Sequence, residues 1–288
     1  LLKRLGIRPD VIHSNDHHTA LVPLYMRKLF KDYFANTASV FTIHNIGYQG
    51  EYPLEWYKEI GVTGIEHLIV KSGRLNFMAV VPGVIKTLGA AGNYVNTVSQ
   101  SYADAIRDTI FELDMLLRDI ENRFGGILNG IDYTIWNPQT DTALAQNYSI
   151  SEGISEVARA RLLNKKALQN LLSRTGAISA LGIDPVRKHG SLHPGSRRPL
   201  VGVVSRLAGQ KQLDILADII EGIYEGTLPG IGIDLVILGS GEQWLEERLA
   251  ALAVDARKKD VGMSVVFVRA YSEKLSHMIY AGSDVLLV

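Results

Sequence analysis

The chain has 288 residues, enough for one large domain or two domains of ordinary size. Its 30 Lys and Arg balance its 30 Asp and Glu, and this zero formal net charge argues against a nucleic-acid-binding protein that relies on a broad basic face. No apolar run reaches the roughly 18–20 residues of a membrane-spanning helix, and the lack of cysteine excludes a disulfide framework, a thiol nucleophile and Cys-ligated zinc.

The first part of the chain alternates short β-branched strands with amphipathic helices. Strands are predicted at 10–14, 39–44 and 94–99, and helices at 19–30 and 102–107. This alternation indicates βαβ units and a parallel sheet with helices on both faces. Ligands bind beyond the carboxyl ends of the strands in such sheets. The segments 13–18, 44–50 and 99–101 are therefore the expected site segments.

A second alternating block begins near residue 200. Strands are predicted at 200–204, 234–238, 265–268 and 284–288, and helices at 213–224, 242–257 and 274–280. The stretch before it, Pro185 to Pro199, is basic and rich in turn residues, which suits a linker or a mobile surface loop. We therefore predict an α/β protein of two doubly wound parallel-sheet domains that face each other.

The ends of the sequence suggest a piece of a longer protein. It opens on Leu1 without an initiator Met and stops at Val288 inside a predicted buried strand. A native domain rarely ends within a strand, because the following loop usually carries the polar chemistry. We expect both domains to be incomplete in this chain.

The first polar constellation is His13-Ser14-Asn15-Asp16-His17-His18. A carboxylate flanked by imidazoles could ligate a divalent metal, as in some metal-dependent phosphoesterases, but no second Asp-rich motif supplies the further ligands. The alternative is that Asp16 caps the helix that begins near His18, or hydrogen-bonds a substrate.

The second constellation is the loop that runs from His44 to Gly50. A lone His is more often structural than catalytic, but this one ends a strand and precedes a loop dense in glycines and hydrogen-bonding side chains. Such a loop allows the backbone to approach a polar ligand closely, which suits a sugar.

The third constellation places Arg206 and Lys211 on either side of a strand-to-helix turn. A guanidinium, an ammonium and a helix N-terminus together suit a diphosphate, although the Walker pattern is absent. Taken alone, a solvated basic turn is the alternative. The nearby Gly239-Ser240-Gly241 is an incomplete dinucleotide fingerprint and indicates only a tight turn.

Taken in order, these motifs resemble the bacterial and plant-type glycogen and starch synthases. The most specific matches are His44–Gly50, Gly126–Asp132 and Ser205–Lys211. The remaining matches are 13–19, 41–43, 75–78, 95–102, 136–138, 164–165, 203–204, 238–241 and 271–284. The resemblance implies two Rossmann-like domains of the GT-B fold and a retaining glucosyltransferase that uses ADP-glucose to extend an α-1,4-glucan, without a metal or other cofactor.

The resemblance also implies roles for individual residues. Arg206 and Lys211 would bind the diphosphate and stabilise the leaving ADP, and His44 would contact the transferred glucose. The substrate-binding residues would be Asp16 on the acceptor side, Asn129 near the glucosyl unit and Tyr271 packed on the nucleotide. The partners would be ADP-glucose and glycogen or starch, with no nucleic acid or membrane. The location would be the bacterial cytoplasm, or the plastid of a plant.

The family pattern sets the expected domain boundaries and also shows departures. An acceptor-side domain is expected over 1–165, a linker over 166–197 and the first half of a nucleotide-sugar domain over 198–288. The family's Lys-x-Gly-Gly loop would precede Leu1 and its glutamate-bearing loop would follow Val288, so the chain alone should be inactive. Gln212, Ala270 and Met278 replace the usual Gly, Gly and Arg. These departures leave open a glucan-binding or regulatory pseudo-enzyme of the same fold.

Overall fold

A computed structural model of the chain describes residues 1–87, 93–108, 113, 117–255 and 261–288. The chain forms two compact units, Leu1–Gly130 and Ile131–Val288. Each unit has its own parallel sheet and its own hydrophobic core.

The first unit begins with the predicted alternation of strands and helices. Its elements are β1 (Val11–Asn15), α1 (Leu21–Lys28), β2 (Ala38–Ile43), β3 (Glu51–Tyr52), α2 (Glu66–Ile69), β4 (Val70–Lys71), β5 (Arg74–Asn76), α3 (Phe77–Thr87), β6 (Asn93–Thr97), α4 (Gln100–Asp108) and β7 (Phe124–Gly126). The parallel sheet has the order β1-β2-β6-β7, and β3, β5 and β4 form a small antiparallel sheet.

The register of the parallel sheet aligns the polar carboxyl ends of its strands. Thr42 pairs with Asn15 on one side and with Asn96 on the other. The Thr42 hydroxyl donates to Asn96 Oδ1 at 2.8 Å and lies 2.7 Å from His13 Nε2, so a chain of hydrogen bonds crosses three strands. This edge of the sheet carries the first two polar constellations.

The second unit contains the predicted second block and elements that sequence analysis missed. Its elements are α5 (Ile154–Ser173), β8 (Lys188–Gly190), β9 (Leu200–Val204), α6 (Leu213–Glu225), β10 (Asp234–Gly239), α7 (Gln243–Val254), β11 (Ser264–Arg269), α8 (Glu273–Gly282) and β12 (Val285–Leu286). The sheet order is β12-β9-β10-β11-β8, with β8 antiparallel and the other strands parallel. The predicted helix end at 256–257 lies outside the described residues.

Alternate residues of β10 are buried on opposite faces of this sheet. Leu235 and Ile237 pack with α6 and α7, whereas Val236 and Leu238 pack with α5 and α8. Both faces are therefore covered by helices, as a parallel sheet requires. This arrangement confirms the doubly wound fold.

The division of the chain differs from the domain boundaries expected at 165 and 197. Residues 131–165 belong to the second unit, and most of the expected linker is ordered structure. Residues 166–173 complete α5, which packs against α8, and β8 joins the edge of the sheet. The basic, turn-rich composition of 185–199 gave no sign of β8, because that strand is held by its pairing with β11.

An ion pair fixes α5 to the sheet. Lys165 Nζ lies 2.5 Å from Asp284 Oδ2 and donates to the Arg198 carbonyl at 2.7 Å, and Asp284 also accepts from the Leu200 backbone N–H. Arg161 on the same helix donates to the Ser283 carbonyl. Charge as well as packing thus holds this helix against the segment before β12.

Replacing Lys165 with Met should destabilise the second unit by about 2–3 kcal/mol. The cost of breaking a fully buried pair is about 3–5 kcal/mol, and the Asp284 side chain, 45% exposed, recovers part of its hydration. Urea unfolding of Lys165→Met against wild type measures the difference. The control is Lys166→Met, because Lys166 is exposed on the same helix. Equal stability of the two variants would contradict a stabilising role for the Lys165–Asp284 ion pair.

Candidate active site

The first unit brings Asp16 and His44 together at the carboxyl ends of β1 and β2. Asp16 Oδ1 accepts a hydrogen bond from the His44 backbone N–H at 2.9 Å. The exposed His44 ring places Nε2 3.0 Å from Asn15 Oδ1. Because the Asn15 oxygen only accepts, Nε2 is the donor in this contact, and Nδ1 is the other nitrogen of the ring. No described residue hydrogen-bonds that nitrogen, so it is available to a ligand.

Asp16 has a backbone conformation that is unusual for a residue with a side chain. Its φ of 54° and ψ of 178° lie in a region that is essentially restricted to glycine. Its side chain does not cap the following turn at His17–Thr19, contrary to one expectation from sequence, because the carboxylate is directed to the His44 N–H instead. Strain of this kind is typical of functional sites.

Of the neighbouring histidines, His17 contacts the following loop. Its Nδ1 lies 3.0 Å from the Tyr48 carbonyl oxygen, and the tilted rings of His17 and His18 have centroids 3.8 Å apart. Among the residues that the structure describes, no group of three His, Cys, Asp or Glu side chains is arranged to hold a metal ion. The phosphoesterase alternative therefore has no ligand set in the described part of the chain.

Asn129 lies in the segment that follows β7. The backbone N–H of Ile127 donates to the Thr97 carbonyl, which attaches this segment to the carboxyl end of β6. The Asn129 side chain is exposed and has no hydrogen-bond partner among the described residues. The structure thus places Asn129 at the same edge of the sheet as His44, with its amide open to a ligand.

The second unit has a cavity of about 380 Å³ beyond the carboxyl ends of β9, β10 and β11. Arg206 and Tyr271 line it, together with the Gly239-Ser240 turn. Lys211 lies at the other end of the turn and does not line this cavity. Both cations are exposed, and neither has an ion-pair partner among the described residues. Both cations thus lie on the turn before α6, for which the sequence predicts an anion site.

The turn that carries these cations is held against the turn that follows β10. Leu207 forms a parallel bridge with Gly241, its N–H donates to the Ser240 carbonyl at 3.0 Å, and its carbonyl accepts from the Glu242 N–H at 2.7 Å. A Cβ on Gly239 would lie 2.0 Å from the Ser205 oxygen, and one on Gly241 would lie 2.1 Å from the Leu207 oxygen. Only glycine permits this contact.

Glu242 completes the contact between the two turns, and sequence analysis did not single it out. Its Oε1 accepts from the Gly209 backbone N–H at 2.8 Å, and its Oε2 accepts from Trp244 Nε1 at 2.7 Å. These two hydrogen bonds, the first above all, lower the pKa of the carboxyl. A glutamate directly after a Gly-x-Gly turn is too common a sequence pattern to predict this contact.

Gln212 follows Lys211 in the left-handed conformation, with a φ of 52°. The family usually has Gly at this position, and the backbone geometry supplies the reason, because a side chain disfavours positive φ. Gln212 therefore adopts this conformation at a cost in local strain.

No helix within the described ranges is both long enough and apolar enough to cross a bilayer. Each unit has a parallel sheet covered by helices, and the second has a cation-bearing cavity at its strand ends. These are the fold and the kind of site that define GT-B glycosyltransferases.

Comparison with known proteins narrows the class. Residues 1–119 match the family described as the starch synthase catalytic domain. The chain is 32% identical to the glycogen synthase of Elusimicrobium minutum, in an alignment that covers 99% of this chain and 53% of that protein. It is 34% identical to the glycogen synthase of Geotalea daltonii, over 100% of this chain and 53% of that protein. The catalytic domain of starch synthase IV from Arabidopsis thaliana, bound to ADP and acarbose, has a TM-score of 0.71 and 28% identity, over 99% of this chain and 52% of that chain.

These similarities to glycogen and starch synthases confirm the resemblance seen in the motifs of the chain. The chain spans about half the length of the curated relatives that it matches.

Asp16→Gly should be about 1–3 kcal/mol more stable than Asp16→Ala. Both variants lose the hydrogen bond to the His44 N–H, but only glycine relieves the strained backbone. Thermal unfolding of the two variants measures the difference. If Asp16→Ala is the more stable, the strain assigned to this position is absent.

The hydrogen bond between Gly209 and Glu242 should weaken in acid. Because the folded pKa of Glu242 is lowered, the stabilisation is complete above the ordinary glutamic acid pKa and is lost as the pH falls through the lowered value. The Gly209 amide chemical shift should titrate with a midpoint below that ordinary pKa. Glu242→Ala should abolish the titration, whereas Glu247→Ala, on the same helix and paired with Gln243, should preserve it.

Proposed function

We propose that this chain carries the substrate sites of a glycogen or starch synthase. That enzyme transfers glucose from ADP-glucose to the non-reducing end of an α-1,4-glucan with retention of configuration. The observation that carries the proposal is the pair of unpaired cations, Arg206 and Lys211, on a turn fixed to the strand-end cavity that Tyr271 also lines. The names of the relatives and the ADP and acarbose bound to starch synthase IV support the same chemistry.

The proposed chemistry depends on the charge of the leaving group. As the glycosidic bond to the diphosphate breaks, negative charge accumulates on ADP, and fixed cations stabilise that charge most strongly in a site that excludes water. Arg206 and Lys211 would supply this stabilisation. Two cationic side chains suffice for it, so the proposal includes no metal or other cofactor.

The first unit would bind the sugars. The neutral His44 ring, with Nδ1 free of described partners, would accept a hydrogen bond from a hydroxyl of the transferred glucose. Asp16 would lie on the acceptor side and Asn129 near the glucosyl unit. The enzyme would act in the bacterial cytoplasm, or in the plastid if the source is a plant. That the 288-residue chain by itself transfers no glucose stays a prediction.

The full-length parent enzyme provides the test. Lys211→Ala should lower kcat by about 100- to 1,000-fold and leave the KM for glucan nearly unchanged, because the stabilised charge is largest in the transition state. Glucan elongation from ADP-glucose measures both constants, and Lys166→Ala is the control for loss of an exposed cation. Wild-type turnover in Lys211→Ala would refute the phosphate role, and a parent enzyme that turns over no ADP-glucose would favour the pseudo-enzyme.

A further inference from the structure

Trp136 lines the same cavity as Arg206 and Tyr271 but comes from a different part of the second unit. It belongs to the irregular segment that follows Ile131, whereas the other two residues follow strands of the sheet. Its family motif, Trp136-Asn137-Pro138, carries no role in the function proposed above. Its side chain is partly open, with 38% of the residue exposed.

One face of the indole ring is covered by His277. The two rings stack with centroids 3.8 Å apart and planes 21° apart, and Tyr280 meets the indole edge-on at 5.6 Å. His277 and Tyr280 lie one helical turn apart on α8. The helix thus covers one face of the ring, while Trp136 still lines the cavity.

His277 is itself held by a short, buried contact. It is 6% exposed, and its Nδ1 lies 2.6 Å from Asp141 Oδ2. The other Asp141 oxygen accepts from the Ala143 N–H, and the Asp141 N–H donates to the Asn137 carbonyl. Since a carboxylate only accepts, Nδ1 carries a proton, and the orientation of the imidazole is fixed. The contact ties the irregular segment to α8.

The remaining nitrogen of His277 is unsatisfied. Nε2 is buried and has no hydrogen-bond partner among the described residues, and the nearest carboxylate oxygen, from Glu273, is 4.0 Å away. A buried polar atom without a partner destabilises the fold.

The residues that line the cavity indicate the class of ligand that the indole would contact. Val204, Leu238 and Ala270 give it apolar walls, and Arg206 gives it one cation. An apolar cavity with aromatic rings and a cation at its border suits a flat heterocycle joined to a phosphate. This combination suits a nucleoside diphosphate, and the serine hydroxyls that also line the cavity (Ser205, Ser240, Ser272 and Ser276) would hydrogen-bond its ribose or phosphates.

We propose that Trp136 is a nucleotide-binding residue, a second aromatic contact beside Tyr271 for the base or ribose of the nucleoside diphosphate. His277, fixed by Asp141, is the positioning residue that holds the indole in place. This inference rests on the proposed function, because it assumes that the cavity binds ADP.

The first test is the titration of the 288-residue chain with ADP in an isothermal titration calorimeter, which measures the dissociation constant. Trp136→Ala should weaken ADP binding by roughly 5- to 100-fold, the range for removal of one aromatic platform under a base, and Trp136→Phe should retain binding to within about threefold of wild type. The control is Trp56→Ala, since Trp56 is an exposed tryptophan of the first unit. Wild-type affinity in Trp136→Ala would overturn this inference and leave the cation site intact. No ADP binding by the wild-type chain would overturn the nucleotide site itself, and this inference with it.

The second test separates positioning from stability with a double-mutant cycle. His277→Asn retains a donor toward Asp141 but removes the stacked ring, and should weaken ADP binding by roughly 3- to 10-fold per folded molecule. If His277 acts through Trp136, the double variant with Trp136→Ala should bind ADP no more weakly than Trp136→Ala alone. Fully additive losses in the double variant, or a His277→Asn variant that lowers only the melting temperature, would overturn the positioning role.

Discussion

The site of the second unit depends on the close contact between two strand-end turns. Leu207 hydrogen-bonds through its N–H and its carbonyl to the Ser240–Glu242 segment, and Gly239 and Gly241 leave no side chain in the way. The contact fixes the backbone between Arg206 and Lys211, so two long, flexible cationic side chains start from defined positions. Preorganised charge of this kind stabilises an anion without rearrangement when the anion forms.

The first unit fixes its site by a different means. A side chain, that of Asp16, holds the backbone of His44, and Asp16 adopts a glycine-like conformation to do so. The hydrogen bond and the strain oppose each other in the stability of the fold. Such a combination suits the sugar contact that we propose for His44, since that contact would depend on precise orientation.

Buried charge joins the elements that frame the second unit. Lys165 connects α5 to the start of β9 and to the segment before β12, and His277 connects α8 to the irregular segment around Asp141. The contacts of Lys165 with Asp284 and of His277 with Asp141 join residues more than 100 positions apart in the sequence. The cavity of the second unit is lined by Trp136 from the irregular segment and by Glu273, Ser276 and Tyr280 from α8, so its shape depends on the packing of α8 on the sheet.

The sequence by itself determined the alternation of strands and helices, because periodicity and β-branched runs are local properties. It also placed His44, Arg206 and Tyr271 at strand ends, because parallel strands end at a common edge. Local pattern did not predict α5, the ordered stretch around β8 or the hydrogen bond from Gly209 to Glu242, since each is stabilised by residues far away in the chain. The stacking of Trp136 on His277 and the strained Asp16 were likewise decided by the tertiary structure alone, because only folding brings the partners of these residues within contact distance.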